Sequence, residues 1–173
     1  MNGGTIRAGW YAIAGNGQDT HTSSSITING GKLISVCDYA IYLPHNGVTV
    51  INGGVIDGAS GAVAINCGSL TINDGTFLSD GKGNLGTAGD GTSAIGVKSL
   101  IMVNGAYGTT DVVINGGVFN VANDYAIVDV RNNASIKISA GVYNKNLDKK
   151  WVGTGYVCVA NDDGTWTVTK ESN

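Results

Sequence analysis

Few side chains in this 173-residue chain have the types and spacing that chemistry requires. Hydrolysis of a glycosidic bond needs two carboxyl groups that flank the bond. The one adjacent acidic pair, Asp162-Asp163, precedes a glycine in a sequence typical of a hairpin turn. Arg131 follows Asp129 by two residues, so both side chains face the same way in a strand. This second pair is the best candidate for a lyase base, but we interpret it as a surface ion pair and expect no catalytic residues.

Metal and cofactor chemistry is not indicated either. Cys37, Cys67 and Cys158 are odd in number and show no CxxC spacing, so they predict neither a disulfide framework nor a zinc site. His21 and His45 fall in different predicted turns. We therefore predict no metal site and no cofactor.

Aromatic side chains suggest a different kind of site, since sugars bind to aromatic ring faces beside amides and hydroxyls. The candidate ligand-binding residues are Trp10, Tyr11, Tyr39, Tyr42 and Tyr125. Tyr39 and Tyr125 occupy similar positions in the repeat described below and, with Tyr11, predict a strip along one side of the molecule. The alternatives are a contact between subunits and simple stacking of tyrosines along one face.

Composition restricts the elements that position these residues. The chain has 28 Gly and a single Pro, with 18 Val and 16 Ile against 7 Leu and 1 Glu, which excludes an α-rich fold. A net charge of −3 with two arginines gives no basic stripe for nucleic acid. No segment approaches the ~18 consecutive apolar residues of a membrane span, so we predict no membrane insertion.

A short phrase recurs six times along the chain. Its second residue is Asn2, Asn29, Asn52, Asn73, Asn115 and Ser139, and the gaps are 27, 23, 21, 42 and 24 residues. A repeat of this length corresponds to one coil of a solenoid. Because the same position recurs in successive coils, Asn29, Asn52, Asn73 and Asn115 predict a structural ladder of amide side chains. The glycine two residues after each of these positions predicts a bend with positive φ.

A second phrase follows in each repeat, as in Tyr39-Ala40-Ile41, Val63-Ala64-Ile65, Ser93-Ala94-Ile95 and Tyr125-Ala126-Ile127. Each repeat then contains three short strands separated by Asn and Gly. The sequence predicts an all-β fold, a right-handed parallel β-helix of about six coils with a C-terminal hairpin cap.

The predicted organisation has two parts. Residues 1–144 form the coils, with an insertion at 79–111 that projects from one side and explains the doubled gap. Residues 145–173 form a capping segment, in which Trp151 and Trp166 cover the last coil. The first phrase lacks a preceding strand residue, so we expect the chain to begin in mid-coil.

Two families resemble this sequence. The last segment, from Ile138-Ser139-Ala140-Gly141 to Trp166, resembles the closing unit of repeat-bearing surface proteins of gut bacteria and related phage proteins, which also string together I-N-G-G-x-[FI] coils. The chain is also similar to a carbohydrate-binding, pectate-lyase-like β-helix family that binds calcium and plant polysaccharide. That family has an acidic pair before Ala-Ile, where this chain has one acid, Asp38 or Asp124, so calcium binding is not expected.

These observations together favour a non-catalytic β-helix module of a bacterial surface or phage protein, acting in adhesion or carbohydrate binding. The expected partner is a polysaccharide or cell-surface glycan, and the expected location is extracellular, at the cell surface or on a virion. One alternative is a structural fibre or spike module that forms a homo-oligomer or stacks on neighbouring coils of a longer parent chain. A second alternative is a degenerate polysaccharide lyase.

Overall fold

Short strands account for nearly all regular structure in the computed structural model, which describes residues 1–15, 23–83, 98–122 and 124–172. The strands are β1 (Thr5–Ala8), β2 (Ile13–Ala14), β3 (Ser24–Ile28), β4 (Lys32–Ser35), β5 (Tyr39–Leu43), β6 (Gly47–Ile51), β7 (Val55–Gly58), β8 (Gly61–Ile65), β9 (Gly68–Ile72), β10 (Thr76–Ser79), β11 (Ser99–Asn104), β12 (Thr110–Ile114), β13 (Val118–Val121), β14 (Ala126–Arg131), β15 (Ser135–Ile138), β16 (Gly141–Tyr143), β17 (Tyr156–Ala160) and β18 (Trp166–Lys170). One 3₁₀ turn, Lys149–Trp151, lies before β17.

Every third strand belongs to the same sheet, which confirms the predicted parallel solenoid. The first sheet has the order β1-β4-β7-β10-β13-β16-β18-β17, the second β14-β11-β8-β5-β2, and the third β15-β12-β9-β6-β3. Strands of successive coils pair in parallel in all three sheets. The chain thus completes about five turns before β16 adds a further strand to the first sheet.

The interior is filled by rows of like side chains, because parallel pairing in register places equivalent residues one strand spacing apart. In the first sheet Phe77, Phe119 and Tyr143 are aligned and fully buried. Their rings stack, with centroids 4.8 Å apart for Phe77 and Phe119 and 4.7 Å apart for Phe119 and Tyr143. The isoleucines that begin the repeated phrase form a second buried row, Ile28, Ile51, Ile72, Ile114 and Ile138.

The bends between the third and first sheets require glycine. Gly54 has φ of +100° and Gly117 has φ of +110°. A Cβ atom on Gly54 would lie 2.8 Å from the carbonyl oxygen of Gly31, and one on Gly117 would lie 3.0 Å from that of Gly75. Conformation and close coil stacking therefore both exclude a side chain here.

The C-terminal segment forms the predicted hairpin. Strands β17 and β18 pair in antiparallel fashion, and β18 also pairs in antiparallel fashion with β16. Trp151 and Trp166 are half-buried and pack against the core. The hairpin changes the pairing direction at this end of the first sheet and covers the last coil.

Part of the segment expected to project from the solenoid at 79–111 belongs to the coils, and residues 84–97 of it lie outside the described residues. Ser99–Asn104 is β11, which pairs in parallel with β8 and β14, and Thr110 is the first residue of β12. Residues 99–104 and 110–111 therefore continue the coils, with Leu100, Ile101 and Val103 fully buried, and the long connection of this coil lies between Ser79 and Ser99. The Ser93-Ala94-Ile95 phrase lies outside the described residues.

Candidate functional site

Three of the candidate ligand-binding tyrosines are buried, and two of them, Tyr39 and Tyr125, belong to the predicted strip. Tyr39 has no exposed surface, and Tyr42 and Tyr125 are 6% and 3% exposed. The Tyr39 hydroxyl donates to the carbonyl oxygen of Ser99 at 3.0 Å, and that of Tyr125 donates to the carbonyl oxygen of Gly81 at 3.3 Å. Burial raises the pKa of both phenols. These rings pack inside the protein and offer no face to a sugar, so the predicted strip is not formed.

The register of the second sheet explains this difference. Ile41 pairs with Val63, Val63 with Ile101, and Ile101 with Val128. The position of Tyr39 is therefore occupied by Gly61, Ser99 and Ala126 in the following coils. Tyr125 comes one residue earlier than the equivalent position, and a shift of one residue reverses the face of a strand. The similar phrases are not in structural register.

Trp10 and Tyr11 remain accessible. Trp10 is 45% exposed at the bend after β1. Tyr11 is half-buried, and its ring stacks on that of Tyr42 with centroids 4.8 Å apart and an interplanar angle of 23°. We call Trp10 and Tyr11 together the aromatic corner. They are the candidate ligand-binding residues that a ligand can reach.

Asp129 and Arg131 form the predicted ion pair at the end of β14. The Arg131 Nε donates to Asp129 Oδ1 at 2.5 Å and its Nη2 donates to Oδ2 at 3.3 Å. Hydrogen bonding to Asp129 raises the pKa of Arg131 above its ordinary value. A base must lose its proton first, so this pairing makes Arg131 less suited to proton abstraction.

The asparagines of the repeated phrase form a continuous hydrogen-bonded ladder along the bends. Each side-chain Nδ2 donates to the Oδ1 of the asparagine one coil earlier: Asn29 to Asn2 at 2.8 Å, Asn52 to Asn29 at 2.7 Å, Asn73 to Asn52 at 2.8 Å and Asn115 to Asn73 at 3.0 Å. The Ser139 hydroxyl donates to Asn115 Oδ1 at 3.2 Å and continues the ladder. The amides are thus engaged with one another, which is a structural role.

A groove on the outer side of the third sheet was not predicted. It has a volume of about 520 Å³ and crosses the starts of β3, β6, β9 and β12; it is lined by Ser23, Ser24, Ser25, Asn46, Gly47, Val48, Gly68, Ser69, Thr109 and Asp111. Seven of the ten lining residues carry a hydroxyl, amide or carboxylate group, and Val48 adds an apolar side chain that is 54% exposed. We call this feature the hydroxyl groove.

The sequence contains a signal for the hydroxyl groove, in the residues that stand at a fixed distance before each isoleucine of the repeated phrase. Three residues before each isoleucine of the repeated phrase stand Ser25, Val48, Ser69, Asp111 and Ser135. These five residues are aligned in the third sheet. Counting back from the isoleucines therefore places them in one row, although each coil alone shows only an ordinary polar strand residue.

Backbone packing keeps the floor of the hydroxyl groove free of side chains. A Cβ atom on Gly68 would lie 2.6 Å from the carbonyl oxygen of Gly47, and one on Gly47 would lie 2.6 Å from that of Ser24. Gly68 also has φ of +90°. Close packing of adjacent coils therefore requires glycine at both of these lining positions.

Neither a metal cluster nor a membrane-spanning helix is found in the part of the chain that the structure describes. The fold is a β-solenoid that carries an open groove with many polar side chains on its third sheet. Comparison with protein-family models, curated proteins and solved structures finds no match to this chain.

Proposed function

We propose that this chain is a non-catalytic β-solenoid module that binds carbohydrate, acting in adhesion at a cell surface or on a virion. The observation that carries the proposal is the hydroxyl groove, where Ser25, Ser69 and Thr109 lie around a glycine floor. Hydroxyl and amide groups donate and accept hydrogen bonds with sugar hydroxyls, and the exposed Val48 offers an apolar contact to the C–H face of a sugar ring.

The aromatic corner gives the same function a second possible location. Trp10 has the exposure that a stacking platform needs, although its neighbour Tyr11 has one ring face against Tyr42. The hydroxyl groove is better supported, because it combines several polar groups with a concave shape.

Retention on immobilised polysaccharides tests the proposal and separates the two locations. Val48→Arg fills the hydroxyl groove with a long side chain, and Trp10→Ala removes the aromatic corner. Val118→Arg is the matched control, because Val118 is 46% exposed on the first sheet. We expect retention to fall at least about tenfold with Val48→Arg and to be unchanged with Val118→Arg. Absence of retention on neutral and acidic polysaccharides alike would contradict carbohydrate binding.

One observation favours a structural module as the second candidate. Ile6 belongs to the inward-facing row of the first sheet but is 42% exposed at the first coil. Association through this end would cover Ile6 and the edge of β1 that pairs with no described strand. Molecular mass in solution across a concentration series tests this candidate, and a monomer at all concentrations would contradict self-association.

A further inference from the structure

The hydroxyl groove is elongated along the direction in which the coils stack. Its residues come from the first positions of four adjacent strands, β3, β6, β9 and β12. Neighbouring strands are about 4.8 Å apart, so four strands span roughly 14 Å between the outer two. A ligand that fills the groove therefore crosses the strands and lies parallel to the solenoid axis.

Polar contacts continue beyond the fourth strand. On β15 the Ser135 hydroxyl donates to Asp111 Oδ1 at 2.5 Å. Ser135 is exposed and aligned with Asp111, so it extends the row of groove residues to the fifth strand. The row of Ser25, Val48, Ser69, Asp111 and Ser135 repeats once per strand, which matches a ligand whose own units repeat along one line.

Among the described residues, a single lining residue gives the hydroxyl groove its charge. Asp111 is exposed and is the one ionisable side chain among the lining residues. The cation on the same face, Lys137, lies two residues beyond Ser135 and belongs to the neighbouring row with Val113. A carboxylate ligand in the groove would approach Asp111 at short range and be repelled, whereas sugar hydroxyls can donate to it.

We propose that the hydroxyl groove holds a linear, uncharged glycan lying along the solenoid axis, and that Asp111 discriminates against uronate polymers. This inference rests on the proposed function and specifies its ligand class. The length of the groove favours an internal stretch of a polysaccharide over a terminal sugar, because a single sugar would contact only one or two of the strands. Asp111 acts as a specificity-determining residue, with Ser135 holding its carboxylate in position.

Calorimetric titration with the whole chain tests the inference. The probes are cello-, xylo-, manno- and chito-oligosaccharides of two to six sugars, together with oligogalacturonates of the same lengths. For the neutral series that binds, we expect affinity to rise about tenfold from two to six sugars, as more of the groove is contacted. Oligogalacturonates should bind more weakly than the neutral series at equal length.

Substitution of Asp111 isolates the charge effect. Asp111→Asn keeps the size of the side chain, so neutral affinity should stay within about twofold while oligogalacturonate affinity rises about fivefold. Asp57→Asn is the matched control, since it removes the same charge from the first sheet and should change neither series. A parallel measurement of the unfolding midpoint verifies that both variants fold.

Each result of these titrations either supports or overturns the inference. Affinity that is independent of length, or oligogalacturonate binding that is equal to neutral binding and unchanged by Asp111→Asn, would overturn the inference while leaving carbohydrate binding intact. Loss of neutral binding in Asp111→Asn would also overturn it, because the carboxylate would then be a required contact. Failure of the wild type to bind any probe would overturn the inference and the proposed function together.

Discussion

The same inward-facing row of side chains runs to both ends of the solenoid, but it is buried at one end and partly exposed at the other. Ile6 in β1 and Tyr143 in β16 occupy equivalent positions in the first sheet, and they are 42% and 0% exposed. At the C-terminal end β18 pairs with β16, and the half-buried Trp166 packs against the core. At the other end β1, β2 and β3 each pair with another strand on one side only, within the part of the chain that the structure describes.

This difference shows how a solenoid gains stability from its neighbours. A coil contacts mainly the coils before and after it, so each interior coil is stabilised twice and a terminal coil once. An antiparallel hairpin replaces the missing neighbour at the C-terminal end, because it supplies both hydrogen bonds and apolar surface. The first coil is therefore expected to be the least stable part of the described chain.

The largest expected difference between the two regions concerns the aromatic stack. Phe119→Ala removes a fully buried ring that lies between Phe77 and Tyr143, and should lower the free energy of unfolding by about 3–5 kcal/mol. Ile6→Ala in the same row should cost less than about 1 kcal/mol, because its side chain is already partly exposed. Urea denaturation measures both. Equal losses would show that the first coil is as well supported as the interior.

Glycine substitutions at the bends compare the interior coils with the first coil through their effect on the free energy of unfolding. Gly117→Val should lower the free energy of unfolding by about 1–3 kcal/mol, because φ of +110° and the nearby Gly75 carbonyl oxygen both oppose a side chain. Gly54→Val should behave alike. Gly4 has φ of +82° but no heavy atom within 4 Å of a Cβ position, so Gly4→Val should cost only the backbone strain. Unchanged melting of Gly54→Val and Gly117→Val would contradict the role of these bends.

Removing a ladder asparagine should give a smaller difference in stability between an interior coil and the first coil. Asn52 donates to Asn29 and accepts from Asn73, so Asn52→Ala removes two hydrogen bonds and should cost about 1 kcal/mol. Asn2→Ala removes the one bond that Asn29 donates to it and should cost about half as much. Thermal unfolding monitored by circular dichroism compares the two variants. A larger loss for Asn2→Ala would indicate that the first coil depends on its ladder contact more than on burial.

The solenoid was predictable from sequence because its repeated phrase combines several local constraints in few residues. Four of the six phrases carry a buried isoleucine, a ladder asparagine and a bend glycine, and the first and last differ at one position each, so the spacing of the phrase specifies the coils directly. The second phrase lacks a residue with an obligatory conformation. Tyr39 and Tyr125 each stand eight residues after their bend glycine, yet Ala126 and not Tyr125 occupies the position of Tyr39 in the sheet. Equal spacing from the bend therefore does not ensure equal register in the second sheet.

The hydroxyl groove is harder to predict from the sequence than the solenoid. Ser25, Ser69 and Asp111 lie in different coils and share no hydrophobic period, so their common location follows only from their fixed distance before the isoleucines of the repeated phrase, which are in register in the third sheet. The doubled gap between Asn73 and Asn115 was predicted to contain an insertion over 79–111. Its described strands are β10, β11 and β12, one in each sheet, so they form one coil with a long connection between Ser79 and Ser99. Spacing alone did not show that residues 99–104 pair with β8 and β14 in the ordinary stack.

The smallest expected difference between the capping segment and the first coil is in how acidification changes their contribution to the free energy of unfolding. The capping segment contains Asp163, whose pKa is lowered chiefly by a hydrogen bond from the Thr165 hydroxyl, and Asp148, whose pKa is lowered chiefly by the Lys150 side chain. A carboxyl group with a lowered pKa in the folded state stabilises that state above its unfolded pKa, near 4, and loses this contribution as the pH falls through the folded value. The described residues of the first coil contain no Asp or Glu. The free energy of unfolding should therefore fall more between pH 6 and pH 3 in the wild type than in an Asp148→Asn, Asp163→Asn double variant, which has already lost the two titrating groups. Identical pH dependence of the two proteins would mean that these hydrogen bonds contribute nothing to the stability of the cap.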